Sequence, residues 1–469
     1  MNVKVKSVEY ILNELPPFEE INLRGAIEDA RAMKFDVIIV LDDDPTGTQT
    51  IYDIPVLTNW SINGIRKELE FGTSLFYILT NSRSMPQESA DQLALTIGKN
   101  IRKANRDLNK SIMVISRGDS TLRGHYPSEV EALEVGLGCT QCVNILIPAF
   151  FEGGRFTVGD VHYVKQNSQL IPAAQTAYAK DKVFGYKHSN LKMWVEEKTR
   201  GAVSSSEIIS FSINELRTQS IASLTQKLNR CVPGTTCVVN ATNYQDLQVF
   251  TLALLKSRII PICRTAASFV AALSALPPKP LLTKEQLVQD STAGGLIIIG
   301  SYVPKTTRQL QYLEQNTSLN LIELDVKSML NAKDEANFLL RQYSDRINDL
   351  IQNGEDVVLY TSRALIAANT IKENLLIGTR ISGFITDIVD QLKIRPKYLL
   401  AKGGITSSDI ATKALNVKRA MVKGQVLPGV PVWTLGAESK FEGLSYIIFP
   451  GNVGKNDAIT HVVKQLGNH

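Results

Sequence analysis

The sequence predicts an α/β protein of two domains, each built on a largely parallel sheet flanked by helices. Three observations carry that expectation. Short β-branched runs recur along the chain, each ends in a turn rich in Gly, Ser or Asp, and several of these turns lead into stretches with helical spacing. The runs are continuously apolar rather than alternating, as strands covered on both faces by helices should be. With 469 residues, the chain is long enough for two or three domains.

In order, residues 36–41 run into an acidic turn at Asp42. Residues 74–80 lead to Asn81-Ser82-Arg83-Ser84 and then to a helix over Gln87–Ala104. Residues 112–115 lead to Ser116-Arg117-Gly118-Asp119, and residues 143–147 lead to Pro148. The pattern loosens at Leu276-Pro277-Pro278-Lys279-Pro280, a linker composition. It restarts over 294–299 before Gly300-Ser301, and further strands are expected at 356–360, 398–401 and 446–449. The domain boundary falls near 283–291, which gives domains of 1–285 and 286–469. In such sheets ligands bind beyond the carboxyl ends of the strands, which is where the polar turns fall.

Composition narrows the function. The chain is 44% hydrophobic and 21% charged, and 51 basic against 46 acidic residues leave a net charge of +5 with no basic block. That balance argues against nucleic acid or a membrane surface as partner. Residues 1–17 mix lysine and glutamate into their apolar residues, so no signal-peptide core is expected, and no apolar run nears the ~20 residues that span a bilayer. A cytoplasmic location follows as the expectation. Five cysteines leave one unpaired under any full pairing, so reduced thiols are expected, and Cys139-x-x-Cys142 has no second pair to make a zinc site.

The sharpest local feature is Asp42-Asp43-Asp44-Pro45-Thr46-Gly47-Thr48. Adjacent carboxylates at a strand end repel one another unless cations, a metal or donor groups offset them. They would deprotonate a hydroxyl or hold a divalent ion; the alternative is an exposed acidic turn with Asp44 as a helix cap. The second feature is Ser116-Arg117-Gly118-Asp119-Ser120-Thr121-Leu122-Arg123-Gly124-His125. Guanidinium forks take a carboxylate, while Asp and Ser or Thr take sugar hydroxyls, so the turn suits a small polyhydroxylated anion. Arg83 adds a third guanidinium. Gly153-Gly154-Arg155-Phe156-Thr157 reads as a further lining loop or a plain turn, and His125 and His162 as packed polar residues or catalysts.

In the C-terminal half, Ala401-Lys402-Gly403-Gly404-Ile405-Thr406-Ser407-Ser408-Asp409 lies between a strand and a helical stretch. Its glycines admit a phosphate to backbone N–H groups, and Thr406 and Ser407 add hydroxyls. Pro450-Gly451-Asn452-Val453-Gly454 repeats that chemistry after a strand, and Gly300-Ser301 makes a third such turn. Three glycine turns in one domain fit a nucleotide cradle, although no GxxxxGK[ST] motif is present. Residues 424–433 read as an apolar loop, either an adenine wall or core.

The residues leave three readings open: a kinase, a haloacid-dehalogenase-type phosphatase built on Asp42-x-Asp44-x-Thr46, and a non-catalytic sensor of a sugar acid or nucleotide. Against the phosphatase, Gly118-Asp119 has no second acid following it through Tyr126.

The sequence resembles the four-carbon acid sugar kinases. Asp43-Asp44-Pro45-Thr46-Gly47 is similar to that family's Asp-Asp-x-Thr-Gly, and Asp119-Ser120-Thr121-Leu122-Arg123-Gly124 to its Asp-Ser-Thr-Leu-Arg-Gly. Pro148-Ala149-Phe150 with Gly154-Arg155 is similar to its Pro-Ala-Phe…Gly-Arg. Gly300-Ser301, Gly403-Gly404-Ile405-Thr406-Ser407 and Gly451-Asn452-Val453-Gly454 align with its ATP-contacting turns. Six segments occur in the family's order across nearly the whole chain. Ile405 stands where the family usually has Glu, apolar residues around Phe449-Pro450 replace a lysine often found before the last motif, and Arg117 stands where a lysine commonly precedes Asp-Ser-Thr.

The resemblance implies an acid-sugar-binding domain over 1–285, a nucleotide-binding domain over 286–469 and an active site in the cleft between them. It implies ATP, with Mg2+, as phosphoryl donor, and threonate, erythronate, an oxo-tetronate or a related branched oxo-acid as acceptor. Asp43 or Asp44 would be the base. Thr46, Gly47, Arg83, Arg117, Asp119, Ser120, Thr121, Arg123 and Arg155 would hold the sugar. Ser301, Gly403, Gly404, Ile405, Thr406, Ser407, Gly451, Asn452 and Gly454 would hold the nucleotide. No residue is assigned as a metal ligand, and a homodimer is compatible with this reading.

Overall fold

The computed structural model describes residues 5–17, 20–288, 291–301, 303–332, 335–363, 371–451 and 453–467. Contacts divide the chain into two compact units, one of Met1–Ile51 with Asn59–Pro278 and one of Tyr52–Thr58 with Lys279–His469. The change at Pro278 precedes the 285/286 position read from the sequence for a physical reason. Leu282 and Leu287 are packed in the core of the second unit, and the Leu282 N–H donates to the Gln425 carbonyl at 2.8 Å, so residues after the linker prolines already belong there. Tyr52–Thr58 goes with the second unit because its strand Ile54–Leu57 pairs antiparallel with Arg419–Leu427, far along the sequence.

The first unit is a parallel sheet in the spatial order Ile209–Phe211, Thr236–Val239, Cys142–Ile147, Ile260–Thr265, Ile112–Arg117, Val37–Asp42, Leu75–Leu79. All residues of Val37–Asp42 and Leu75–Leu79 are buried, as expected of strands covered on both faces. The expected helix Gln87–Ala104 forms and buries Ala90, Ala94, Ile97, Ile101 and Ala104, a 3–4 spacing along one face. A small antiparallel sheet of Lys6–Ser7, Gln169–Pro172, Val161–Gln166 and Arg155–Val158 completes the unit, so Arg155 opens a strand rather than lying in a loop.

The second unit has parallel strands in the order Asn320–Leu324, Val357–Thr361, Leu296–Ile299, Leu399–Lys402, Ser445–Phe449. Val430–Leu435, Arg419–Leu427 and Ile54–Leu57 continue it antiparallel. Residues 424–433, expected as a loop, therefore form most of a β-hairpin. Arg419–Leu427 alternates half-buried and buried residues, the period of a strand, and Gly429 with positive φ makes the turn at Pro428-Gly429. The helix after Lys402 is Gly404–Asp409, continued by a π-helical turn over Ile410–Ala414.

Cys139 and Cys142 form a disulfide, which corrects the expectation of reduced thiols at that pair; left-handed Gly138 ends the helix Ser128–Leu137 and turns the chain back toward the strand. Cys231, Cys237 and Cys263 are free and buried. Among the described residues no helix is long and apolar enough to cross a membrane.

Candidate active site

Strand order creates two crevices, one in each unit. In the first, Val37–Asp42 lies between Leu75–Leu79 and Ile112–Arg117, so the chain leaves it to one side and then crosses to the other. Carboxyl ends of neighbouring strands part at such a switch point, which is where α/β sheets bind ligands. Asp43, Arg83, Arg117 and Asp119 are all at this edge.

The acidic turn is sorted by its neighbours. Asp42, the last strand residue, is 2% exposed and its Oδ1 accepts from Arg117 at 3.2 Å. Burial pushes its carboxyl up to about 7, against the pull of Arg117 and with the repulsion of Asp43 and Asp44. Gly47 packs on it: a Cβ at Gly47 would lie 1.8 Å from Asp42 Oδ2. Asp44 accepts from the Thr46 N–H at 2.8 Å, from the Thr46 hydroxyl and from Arg83. Burial would raise its carboxyl, but Arg83 and Thr46 win and hold it below the usual carboxylate range. Asp44 is thus the cap that the bland sequence alternative foresaw, capping the short turn Pro45–Thr48, although it is not exposed.

Asp43 differs. It is 2% exposed, and neither carboxylate oxygen has a hydrogen-bond partner among the described residues. Three guanidiniums stand off it, Arg264 at 3.6 Å, Arg117 at 3.8 Å and Arg83 at 3.9 Å. A carboxylate so surrounded yet unbonded keeps its lone pairs available to a ligand.

Asp119 accepts from Arg123 Nε at 2.7 Å and pairs with Arg83 at 3.3 Å. Against burial, these two arginines and the Thr121 hydroxyl drive its carboxyl far below the ordinary range. The arginines divide by depth: Arg117 and Arg264 side chains are 5% and 8% exposed, Arg83 and Arg123 18% and 27%. The first two form a floor and the second two a mouth. Thr121 is spent on Asp119, and the carbonyl of Ser120 is 2.8 Å from His162 Nε2. Arg155 bonds the Gly153 carbonyl and shares the Tyr178 ring with Arg123, at 5.8 and 5.1 Å from its centroid. His125 and His162 are buried and hydrogen-bonded, and burial pushes His162 down to about 4, so that ring packs rather than titrates near neutrality.

Sequence reading missed Arg264 and Glu129. Arg264 donates to Ser116 Oγ at 2.8 Å and to Glu129 at 3.1 Å, and Glu129 accepts from Ser82. Two glycines signal it: a Cβ at Gly118 or Gly124 would lie 2.3 or 2.5 Å from the Arg264 Nη2. An arginine within the otherwise apolar Ile260–Thr265 strand is the other clue.

In the second unit, Leu296–Ile299 lies between Val357–Thr361 and Leu399–Lys402, again a switch point. Gly300-Ser301, Gly403-Gly404 and Pro450-Gly451 follow three adjacent parallel strands, so the expected turns come together. A Cβ at Gly300 would lie 2.3 Å from Thr406 Oγ1, one at Gly403 3.2 Å from the Ser301 Cβ, and one at Gly451 3.3 Å from the Ser301 Oγ. Thr306 donates to the Gly451 carbonyl at 3.2 Å and ties the third turn to the first. Ile405 is 57% exposed, consistent with its replacing a polar residue. Ser407 points inward: it is wholly buried and its hydroxyl donates to the carbonyls of Gly403 and Ala401 at 2.7 and 2.9 Å. It shapes the turn and has no hydroxyl to offer a ligand. Gly454 packs on Ala458, and Asn452 lies outside the described residues.

Residues 38–273 match the model of a sugar-binding N-terminal domain, and residues 296–459 that of a nucleotide-binding C-terminal domain. A comparison with curated proteins gave no match. Among solved structures, one from a Haemophilus influenzae protein shares 15% identity over 91% of this chain and 100% of that one, with a TM-score of 0.61. A Salmonella typhimurium protein put forward as a tRNA synthase shares 17% identity over 92% of this chain and 100% of that one, with a TM-score of 0.66. At those identities the two structures speak for the fold alone. The sugar-binding model by itself spans half of the chain, and with the nucleotide-binding model following it in order, the chain belongs to the four-carbon acid sugar kinase family.

Proposed function

We propose that the protein transfers the γ-phosphoryl group of ATP to the terminal hydroxyl of a short acid sugar, of the threonate, erythronate, oxo-tetronate or branched oxo-acid class. The observation that carries this reading is Asp43, a buried carboxylate with both oxygens unbonded among the described residues, at a switch point lined by arginines.

Asp43 accepts the proton of the acceptor hydroxyl as its oxygen forms a bond to the γ-phosphorus and the bond to the β-phosphate oxygen breaks, leaving ADP. Between the two candidate aspartates, the unbonded oxygens favour Asp43, since those of Asp44 are committed to Thr46 and Arg83. Arg83 and Arg123, at the mouth, fork the substrate carboxylate, and Asp119 with Ser120 orients its hydroxyls. Arg117 and Arg264 fix Asp43 from below and stabilise charge that develops beside it. In the second unit Ser301, Gly403, Gly404, Thr406 and Gly451 offer backbone and hydroxyl donors to the triphosphate. Little covalent chemistry falls to the protein in such a transfer, so positioning and electrostatics dominate.

Among the described residues no cluster of three or more His, Cys, Asp or Glu is arranged to hold a metal, and the carboxylates of the first unit face guanidiniums. Magnesium would then arrive as part of the nucleotide substrate. The test is a coupled ADP-release screen of tetronates, oxo-tetronates and branched pentonates. ADP formation that depends on one of these, with a phosphorylated acid as product, is the expected result. ATP hydrolysis indifferent to every acid, or no turnover with any, overturns the assignment.

A further inference from the structure

We propose that Lys402 is the polyphosphate-binding cation of the nucleotide unit, an ammonium stored in the floor of the glycine turns that pairs with a nucleotide's phosphate oxygens. The inference rests on the nucleotide part of the reading above and adds a residue to it.

Lys402 ends the strand Leu399–Lys402 and immediately precedes Gly403. Its side chain is wholly buried, yet among the described residues no carboxylate lies within ion-pair distance of it. Its Nζ donates to the Pro450 carbonyl at 2.7 Å and lies 4.0 Å from the centroid of the Phe449 ring. Both partners belong to the third glycine turn. Its own carbonyl accepts from the Ser301 N–H at 3.3 Å, which binds it to the first. One residue therefore touches two of the three turns that the phosphates would meet, the third through its side chain and the first through its backbone carbonyl. A buried ammonium with one carbonyl and a ring face for company is costly, because an isolated charge in such a place loses its hydration without an ionic partner.

The surrounding charges leave that position open to an anion. Lys305, from the helix Pro304–Asn316, is a like charge that adds to the effect of burial, and together they push Lys402 down to about 6. The strands on either side, Leu296–Ile299 and Ser445–Phe449, bring one titratable group, Tyr446, whose hydroxyl donates to the Ser407 carbonyl. Asp409, from the helix that follows, is engaged by Lys413 at 2.7 Å. Near neutral pH the empty site therefore holds a largely neutral amine. Phosphate oxygens arriving beside it reverse the balance, and the amine takes up a proton as they bind.

Calorimetric titration of the full chain with ATP, ADP and adenosine at pH 8, in buffers of different ionisation enthalpy, tests this. The wild-type protein should take up close to one proton per ATP or ADP and none per adenosine. Lys402→Met, a change of similar length that removes the buried amine, should abolish that uptake. It should also weaken ATP and ADP by ~10–100-fold, the span of a charge-assisted pair, and leave adenosine within about twofold. A purely structural lysine predicts equal losses for ATP and adenosine with no proton uptake in the wild type, and that result overturns the proposal, as does unchanged ATP affinity in the variant. The wild-type uptake decides the matter alone if the variant fails to fold. Failure of the wild type to bind any nucleotide is a different result, since it removes the nucleotide reading itself.

Discussion

The two units put their candidate sites at the same topological position and furnish them with opposite chemistry. In the first, the crevice beyond Val37–Asp42 is closed by five carboxylates (Asp42, Asp43, Asp44, Asp119, Glu129) interleaved with four guanidiniums (Arg83, Arg117, Arg123, Arg264). In the second, the crevice beyond Leu296–Ile299 is lined by glycines, hydroxyls and backbone amides, with one buried lysine. Under the proposed function, the difference follows from what each ligand would demand. A small acid sugar offers hydroxyls and one carboxylate, which only directional side-chain donors and acceptors can tell apart. A triphosphate is a chain of equivalent oxygens, which amides and a single cation can hold with little discrimination. The first site is therefore built from side-chain ion pairs, whereas the second is built mainly from backbone and hydroxyl groups.

The comparison breaks first at Asp43. Asp43→Asn keeps the shape of the charged site and removes a proton acceptor, so kcat should fall by ~10²–10⁴ with sugar affinity nearly unchanged. Asp44→Asn should act mainly through the turn and lower kcat less. Steady-state kinetics of both variants decide between them, and the reverse ranking would move the base to Asp44.

Next in size is the buried pairing beneath Asp43. Arg264→Met leaves buried Glu129 without its guanidinium and Asp43 with two of its three, and should cost ~3–5 kcal/mol, the usual loss when one partner of a buried pair is removed. Denaturant unfolding measures it. A loss under 1 kcal/mol would mean that Arg264 fills space rather than balances charge.

Arg264 also marks where sequence stops being legible. The segments 42–47 and 116–125 could be read because each is contiguous and follows an apolar run, so strand, turn and chemistry appear together. Arg264 is nearly 150 residues from the Ser116 it bonds, and its place depends on Ile260–Thr265 inserting between Ile112–Arg117 and Cys142–Ile147. No local pattern encodes that insertion. Tyr52–Thr58 changes unit for the same reason, since its partner strand begins at Arg419. Residues 424–433 were opaque because Gly and Pro at their turn outweighed the alternation that makes them strands. Ser407 shows the converse: its motif is readable, but only in the fold is its hydroxyl seen to turn onto the Gly403 carbonyl. The ranking of Asp43 over Asp44 likewise needed their hydrogen-bond partners.

The second site should yield to a smaller insult. Gly300→Ala would put a Cβ 2.3 Å from Thr406 Oγ1, and the resulting shift of the two turns should cost ~1–3 kcal/mol, felt as a loss of about tenfold or more in ATP affinity. Acid-sugar binding, measured in the absence of nucleotide, should stay within twofold. Equal losses for both ligands would mean that the two sites are not separable in the way the comparison requires.

The slope with pH is the most diagnostic effect, because the two sites should titrate with opposite sign. Asp42 is held near 7 by burial, well above the ~3.9 of an unfolded aspartate. Between about pH 4 and 7 the folded protein keeps a proton that the unfolded chain has released. The stability this proton confers is full below pH ~4 and is lost as pH rises toward 7, by at most ~1.4 kcal/mol per pH unit. Asp42→Asn removes that slope, so its stability relative to wild type should climb over this window and level off above it. Lys402 is the mirror image. Its folded value of about 6 lies below the ~10.4 of an unfolded lysine, so wild-type stability gains from this group as pH rises from 6 toward 10, and Lys402→Met removes that gain. Denaturant midpoints of wild type and both variants from pH 4.5 to 9 measure the two slopes. Parallel curves for Asp42→Asn would show that Arg117 keeps that carboxylate ionised in the fold, and the first site would then be charged throughout, with no proton stored beneath Asp43.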